Sequence, residues 1–253
     1  MSLQKIALVT GGSRGLGRNM ALALAKKGLD VLITYNSQQD QAEEVVREIQ
    51  SLGRKASALQ LDVTQSAGFT SFFERIQQHL DLHFGTSRFD YLINNAGTGI
   101  YVPFAETTEE QFQNMFDIHL KSVFFLTQKA LAHLNDNGGI VNVSSGLARF
   151  SFPGSAAYAS MKGGVEVLTR YMAKEFGSRG IRANIIAPGP IETDFGGGRV
   201  RDTKAFNDQL SGMTALGRVG LPDDIGSVVA FLCSDDSRWV NAQRIEVSGG
   251  LLI

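Results

Sequence analysis

Between Lys5 and Ser37 the chain alternates strand and helix signals around a cluster of glycines. Ile6-Ala7-Leu8-Val9 is a short apolar run. It is followed by Thr10-Gly11-Gly12-Ser13-Arg14-Gly15-Leu16-Gly17. Leu16, Met20, Leu24 and Ala25 then repeat at helical spacing up to Gly28, and Val31-Leu32-Ile33 reads as the next strand. Strand, glycine turn, helix and strand within about 35 residues make a βαβ unit, which commits the chain to a parallel sheet. Glycines at such a turn let backbone approach a pyrophosphate. The following helix offers unpaired N–H groups and the positive end of its dipole. Gly11, Ser13, Gly15, Leu16 and Gly17 are therefore candidate nucleotide contacts. A glycine string alone is weak, since ordinary turns use glycine; its place between strand and helix gives it meaning.

The end of the second strand bears on which dinucleotide is bound. An acid about 20 residues beyond the glycines would hold a free ribose 2′-hydroxyl, as in NAD sites. Here the strand ends Thr34-Tyr35-Asn36-Ser37, with no acid before Asp40. Arg14, inside the turn, reaches toward the same place. Arg14, Asn36 and Ser37 suit a 2′-phosphate, so NADP(H) is favoured over NAD(H).

The middle of the chain repeats the alternation. Ala42, Val45, Val46, Ile49 and Leu52 form an amphipathic helix, and Ala56 to Leu61 a third strand. Asp62-Val63 follows; Asp62 is placed either to hold an adenine amino group or to cap the segment near Ser66. Phe69, Phe72, Phe73, Ile76 and Leu80 mark a further helix, and Leu82 to Arg88 reads as a loop. Tyr91-Leu92-Ile93 is a fourth strand ending in Asn94-Asn95-Ala96-Gly97. Asn95, Ala96 and Gly97 sit where ligands lie in such sheets. A long helical stretch runs from Thr108 to about Leu134, and Gly139 to Val143 is a buried strand.

That strand delivers Ser144 and Ser145, and the helix after it carries Tyr158 and Lys162, four apart and so on one face. A phenol has a reference pKa of about 10. A neighbouring ammonium favours the phenolate, and lowering the pKa to about 7 takes roughly 4 kcal/mol. An isolated Tyr-x-x-x-Lys is ordinarily a surface pair; its position after a strand of a nucleotide-binding sheet makes it a candidate site. Ser145 is placed to present a hydroxyl beside the phenol, and Ser155 to cap the helix. Met161, Val165, Leu168, Met172 and Phe176 form the apolar stripe of that helix. Ile181 to Ala187 is a sixth strand, broken by Pro188-Gly189-Pro190. Gly196-Gly197-Gly198 before a short polar helix suggests a mobile lid, an insertion spanning about 190–213. Arg244 to Val247 is the last strand.

These motifs, in this order and spacing, resemble the short-chain dehydrogenase/reductase family over essentially the whole length. They are Thr10 to Gly17, Asp62-Val63, Asn94 to Gly97, Ser145, Tyr158 with Lys162, and Pro188 to Asp194. The resemblance implies a doubly wound α/β parallel sheet of about seven strands with helices on both faces, one NAD(P)-binding domain over 1–253. It implies that Tyr158 donates a proton to a carbonyl, Ser145 holds the carbonyl oxygen, and Lys162 lowers the phenol pKa and binds the nicotinamide ribose. Pro188, Gly189, Ile191 and Thr193 would meet the cofactor carboxamide and phosphates. One departure lies near the chemistry. The family's usual asparagine in the long helix, whose backbone carbonyl holds a relay water, is His119 here: either the backbone role survives, or the proton relay is altered, or the imidazole titrates in the working pH range, or it is only a tolerated polar side chain.

Composition removes other classes. A formal net charge of -1 gives no footprint for nucleic acid. Cys233 is the single cysteine, so no intrachain disulfide or cysteine metal cluster forms. No apolar run reaches the ~18 residues of a membrane span, and the strand-like start shows no signal peptide, so a cytoplasmic protein is expected. Phe150, Phe152, Phe195, Tyr101 and Val102 suggest a lipophilic carbonyl or alcohol substrate, and the resemblance implies that a neighbouring subunit covers the apolar tail Leu251-Leu252-Ile253 in a homo-oligomer, a tetramer or dimer. The leading expectation is an NADP(H)-dependent oxidoreductase reducing a ketone or aldehyde, or oxidising the alcohol. The alternatives are a 3-oxoacyl-carrier-protein reductase, or a non-catalytic NADP(H) sensor or scaffold.

Overall fold

The computed structural model describes residues 4–253. Seven parallel strands form one sheet: β1 (Ile6–Val9), β2 (Asp30–Tyr35), β3 (Ala56–Gln60), β4 (Phe89–Asn94), β5 (Leu134–Val143), β6 (Arg182–Pro188) and β7 (Arg244–Val247). Their spatial order is β3-β2-β1-β4-β5-β6-β7. The chain builds outward from β1 to β3, then returns to the other side of β1. Loops leaving the carboxyl ends of β1 and β4 therefore diverge and open a crevice, the position at which such sheets bind ligands.

Alternation along the strands assigns the helices to two faces. Ala7, Val9, Val31, Ile33 and Ile93 pack with Met20, Leu24, Val45, Ile49, Ile225 and Val229. These come from α1 (Gly15–Lys26), α2 (Gln39–Ser51) and the late helix Pro222–Leu232. Leu8, Leu32, Leu92 and Ile140 pack the other way, against Phe69, Phe73, Ile76, Leu80, Leu126, Val165 and Met172. Those residues belong to α3 (Phe69–Phe84), α5 (Ser122–Ala130) and α6 (Ala156–Glu175). Cys233 is buried in the first of these cores.

Several boundaries differ from the sequence reading. Leu82 to Phe84 continue α3, which ends at Gly85 in the left-handed region, φ 76°. The long helix after Thr108 is not continuous. A capping box of Thr108 and Gln111 opens α4 (Glu109–Phe116). A π-turn, Asp117–Lys121, then inserts before α5. Leu134 is already the first residue of β5. The ladder between β4 and β5 steps from Phe89↔Leu134 to Tyr91↔Gly139, and Asn137 takes up the step at φ 61°. Beyond β6, the glycine run leads into α7 (Arg199–Asp202) and α8 (Lys204–Gly212), and Pro222–Leu232 is α9.

Candidate active site

The loops after the first six strands converge on one cleft of about 1100 Å³. Bordering it are Gly11, Ser13, Arg14, Gly15, Leu16 and Gly17 from the first turn, Asn36 and Ser37 after β2, and Asp62 and Val63 after β3. Asn95, Ala96 and Gly97 follow β4, Ser145 follows β5, and Pro188, Gly189, Ile191 and Thr193 close the far side with Tyr158 and Lys162. Every residue singled out from the sequence for cofactor contact or catalysis thus faces a common space.

The glycine turn fits a dinucleotide pyrophosphate. A Cβ on Gly12 would lie 2.6 Å from Ile33 Cβ, and one on Gly11 2.9 Å from Ala96 Cα. A Cβ on Gly17 would strike the Gly11 carbonyl and the Asn95 amide. Side chains are excluded there, so backbone forms the cleft wall. Helix α1 has no side-chain cap and no acid in its first turn, which leaves its N–H groups and positive dipole end for an anion. Asn95 acts inward: its Nδ2 donates to the carbonyls of Thr10 at 2.9 Å and Gly11 at 3.1 Å. Thr10 Oγ1 in turn accepts from the N–H groups of Asn95 and Ala96, each at 3.0 Å. Thr10 and Asn95 therefore clamp the loops of β1 and β4 together, a role for Thr10 that the motif alone did not reveal. At the other end, Arg14 stands 3.9 Å from Asp194 with its side chain 58% exposed, and it borders the cleft as Asn36 and Ser37 do. Asp62 Oδ1 accepts from Thr64 N at 2.9 Å and Thr64 Oγ1 at 2.8 Å, the local turn that an acid after a strand often makes.

Ser145, Tyr158 and Lys162 meet where β5 ends beneath α6. Tyr158 and Lys162 are both buried. Lys162 Nζ donates to the Val143 carbonyl at 2.7 Å and lies 5.5 Å from the Tyr158 ring centroid. Burial brings its pKa down to about 7. Burial also pushes the Tyr158 phenol well above its ordinary value; a hydrogen bond with Ser145 opposes this, and Tyr101 reinforces it. In the protein alone, Lys162 does not supply the expected lowering: desolvation dominates, and only Ser145 opposes it. Tyr158 is held protonated, the form that a proton donor needs. Ser145 Oγ also accepts from Leu147 N at 3.1 Å. Ser144 bonds the Glu166 carboxylate at 2.7 Å, besides a longer contact with the Lys162 carbonyl, rather than a backbone group alone. Ser155 occupies the N-cap of α6 but makes no capping bond.

His119 sits in the π-turn, 1% exposed, and its Nε2 is 2.6 Å from the Thr98 carbonyl. A carbonyl only accepts, so the proton is on Nε2. Burial, then the charge of Lys162, holds the pKa of His119 well below its ordinary value. The imidazole is therefore neutral at working pH, which corrects the expectation that it titrates there. Its ring stands edge-on to Tyr158, centroids 5.0 Å apart. A Cβ at Gly97 would lie 2.7 Å from the imidazole, so Gly97 makes room for it.

Aromatic side chains close the remaining sides. Tyr101, Leu147, Phe150, Phe152, Pro153 and Phe195 border the cleft, with the Phe195 ring 5.7 Å from that of Tyr158. Val102 is set back, its N–H bonded to the Gly154 carbonyl. The glycine-rich segment locks onto this wall. Gly99 leaves room for Phe195, where a Cβ would come within 2.8 Å, and Gly196 leaves room for Tyr101, at 2.9 Å. Arg199 and Phe206 also face the cleft. The sequence reading passed over them, because nothing in a polar helical segment marks which side faces in.

A family model described as "Enoyl-(Acyl carrier protein) reductase" matches residues 11–252. The chain is 39% identical over 257 aligned positions to a hydroxynaphthalene reductase-like protein Arp2 of Metarhizium brunneum, spanning 97% of this chain and 94% of that one. It is 36% identical to the tetrahydroxynaphthalene reductase PfmaG of Pestalotiopsis fici, spanning 97% and 91%. Among solved structures, the promiscuous reductase LugOII, which catalyses keto-reduction at C1 during lugdunomycin biosynthesis, superposes with TM-score 0.93 at 36% identity, covering 100% of both chains. The angucycline C-6 ketoreductase LanV with bound NADP gives 0.93 at 35%, covering 99% and 96%. Sheet order, glycine turn and relatives over nearly the full length agree: the chain belongs to the short-chain dehydrogenase/reductase family.

Proposed function

We propose that Ser145, Tyr158 and Lys162 reduce the ketone of a polycyclic aromatic substrate at the expense of NADPH. The enzyme is an NADP(H)-dependent oxidoreductase of the ketone-reducing kind, as its relatives are. The observation that carries the assignment of residues is the meeting of a buried, protonated phenol with a serine hydroxyl and a buried amine at the wall of the nucleotide cleft. The aromatic wall around Tyr158, and relatives named for hydroxynaphthalene and angucycline reduction, support the substrate class.

When bound, the nicotinamide supplies the hydride for the carbonyl carbon. Ser145 Oγ donates a hydrogen bond to the carbonyl oxygen and so stabilises charge developing there. Tyr158 passes its phenolic proton to that oxygen, and C=O becomes CH–OH. The phenolate left behind regains a proton from solvent; the reverse sequence oxidises the alcohol. Lys162, tethered by the Val143 carbonyl, supports that phenolate across one helical turn. The backbone of the glycine turn and the N-terminus of α1 would hold the pyrophosphate, and Arg14, Asn36 and Ser37 would hold the 2′-phosphate. Reduction of a carrier-bound acyl chain is less well supported. Arg149 is already paired with Glu246, and Arg179, paired with Asp136 and bonded to the Leu134 carbonyl, lies at the amino end of β5, away from the cleft.

Among the described residues no helix is long and apolar enough to cross a membrane. A lone, buried Cys233 suits a reducing compartment, and we place the enzyme in the cytoplasm as a homo-oligomer.

Replacing Tyr158 by Phe removes the proton and little volume. Turnover of a tetralone panel, followed by NADPH absorbance, should fall about 10²–10⁴-fold while NADPH still binds; unchanged turnover in that variant would falsify the assignment. In the same assay NADPH should outperform NADH, and Arg14→Ala should narrow that preference. An NADH preference in the parent protein would remove the role given to Arg14.

A further inference from the structure

A second pocket, of about 650 Å³, opens beside the cleft. Its walls are largely apolar and aromatic, with Tyr101, Phe150 and Phe152 prominent, and no aspartate or glutamate borders it among the described residues. One cation does. Arg199 borders both this pocket and the main cleft. Its guanidinium lies 4.1 Å from the Phe206 ring centroid and 5.7 Å from that of Tyr101. A guanidinium against ring faces keeps its in-plane N–H groups available.

The neighbouring arginines are committed elsewhere. Arg201 pairs with Asp194 and Asp202, and Arg14 with Asp194. Arg199 pairs with no carboxylate among the described residues. Its place is fixed from both sides. Gly196, Gly197 and Gly198 all take left-handed conformations, with φ of 61°, 76° and 75°, and the turn they make seats Tyr101 in the notch at Gly196. Ser155 borders the same two cavities, and its hydroxyl is buried with no hydrogen-bond partner. Tyr101 connects the two ends of this region. Burial raises the pKa of its hydroxyl, and the charge of Arg199 opposes this; burial likewise dominates at Tyr158, with Tyr101 a lesser cause in the same direction.

We propose that Arg199 and this side pocket form a subsite for an acidic substituent, the carboxylate or ionised phenol of an aromatic ketone whose carbonyl lies at Tyr158. The inference rests on the reductase reading for the orientation of the substrate, but the contact itself is a binding property. An anion there meets an exposed cation held against two rings, with no carboxylate partner among the described residues to displace. A neutral ring system gains only the aromatic surface.

Titration calorimetry on the protein saturated with NADP⁺ tests this without turnover, using 2-naphthoate and 2-naphthol as probes. The parent should bind naphthoate more tightly than naphthol. In Arg199→Met that ratio should fall about tenfold, the size of one charge-assisted contact. Arg199→Lys should keep part of it, and about 0.5 M salt should weaken it in the parent. An equal ratio in parent and Arg199→Met overturns the subsite. So does a loss confined to NADP⁺ affinity, which would assign Arg199 to the cofactor phosphates. A kinetic arm compares 2-tetralone with a ring-carboxylated tetralone. If neither is reduced, the reductase reading fails, and the naphthoate titration still decides the subsite.

Discussion

Lys162 is buried on α6 with its Nζ committed to the Val143 carbonyl, and its pKa is brought down to about 7 from an ordinary 10.5. Between those two values the unfolded chain holds a proton that the folded chain has lost, so stability rises with pH through that window. At pH 7 and below, the fold carries a cost of about 5 kcal/mol for charging a buried amine. Lys162→Met removes that cost and leaves the Val143 carbonyl without its donor, a loss of about 1–3 kcal/mol. The variant should therefore be more stable than the parent by about 2–4 kcal/mol at pH 7 in urea unfolding, with the gain lost and reversed as the pH approaches 10.5, where only the missing donor counts, and it should not turn over. A variant less stable at pH 7 would show that the amine keeps its water. His119 acts with the same sign at lower pH: its depressed pKa makes stability fall as the pH drops below 6.5. The sequence placed Lys162 next to Tyr158 through helical spacing alone. It did not show that burial would raise the phenol and bring the amine down, because desolvation depends on what β5 and the aromatic loops pile over the pair.

At the carboxyl end of β5, charged side chains of β7 and α6 hold the serine segment. Arg244 on β7 donates to Glu166 on α6 at 2.7 Å and to Glu246 at 3.1 Å, and its other terminal nitrogen is 3.4 Å from the Ser145 carbonyl. Glu166 also takes the Ser144 hydroxyl, and Glu246 takes Arg149 at 2.9 Å. The three side chains Arg244, Glu166 and Glu246 are only 22%, 15% and 17% exposed. Arg244→Met should leave two partly desolvated carboxylates facing each other and cost about 2 kcal/mol of stability. Because the loosened segment carries Ser145, kcat should fall more than the KM for NADPH changes. Equal losses in both would mean that the network supports the fold without positioning the serine. The strands and helices that carry these residues were legible from period-two and period-3.6 patterns, as in Ile6–Val9 and Phe69–Leu80. The network was not, since Glu166, Arg244 and Glu246 read as ordinary surface charges until β7 is laid beside β6. The π-turn at Asp117–Lys121 was hidden for a related reason. It changes hydrogen-bond spacing without changing composition, and only the unusual His119 pointed to that place.

At the scale of the molecule, the two-sided sheet buries its own apolar faces but leaves others uncovered. Phe124 and Phe125 on α5, and Val167 and Tyr171 on α6, are 45%, 40%, 47% and 63% exposed, on helices that cover the same face of the sheet. A monomer seldom leaves so much aromatic surface in water. The C-terminal tail is covered only in part by its own chain: Leu251 is buried, whereas Ile253 is 89% exposed. The doubly wound sheet was readable from alternating strand and helix signals, but a single chain cannot say which surfaces a second copy hides. Of these two uncovered regions, the α5–α6 face carries the exposed aromatic rings of Phe124, Phe125 and Tyr171, and Gly163 on α6 leaves room for close approach. A Cβ at Gly163 would meet nothing within 4 Å on its own chain. If this face joins two copies, Phe125→Asp with Tyr171→Asp places desolvated carboxylates in the contact, each costing about 2 kcal/mol or more. Sedimentation velocity should then show the parent as an oligomer and the double variant as a smaller species, with the far-UV circular dichroism of the fold retained. A double variant that sediments like the parent would move the contact to another surface, the exposed tail at Ile253 being the next to test.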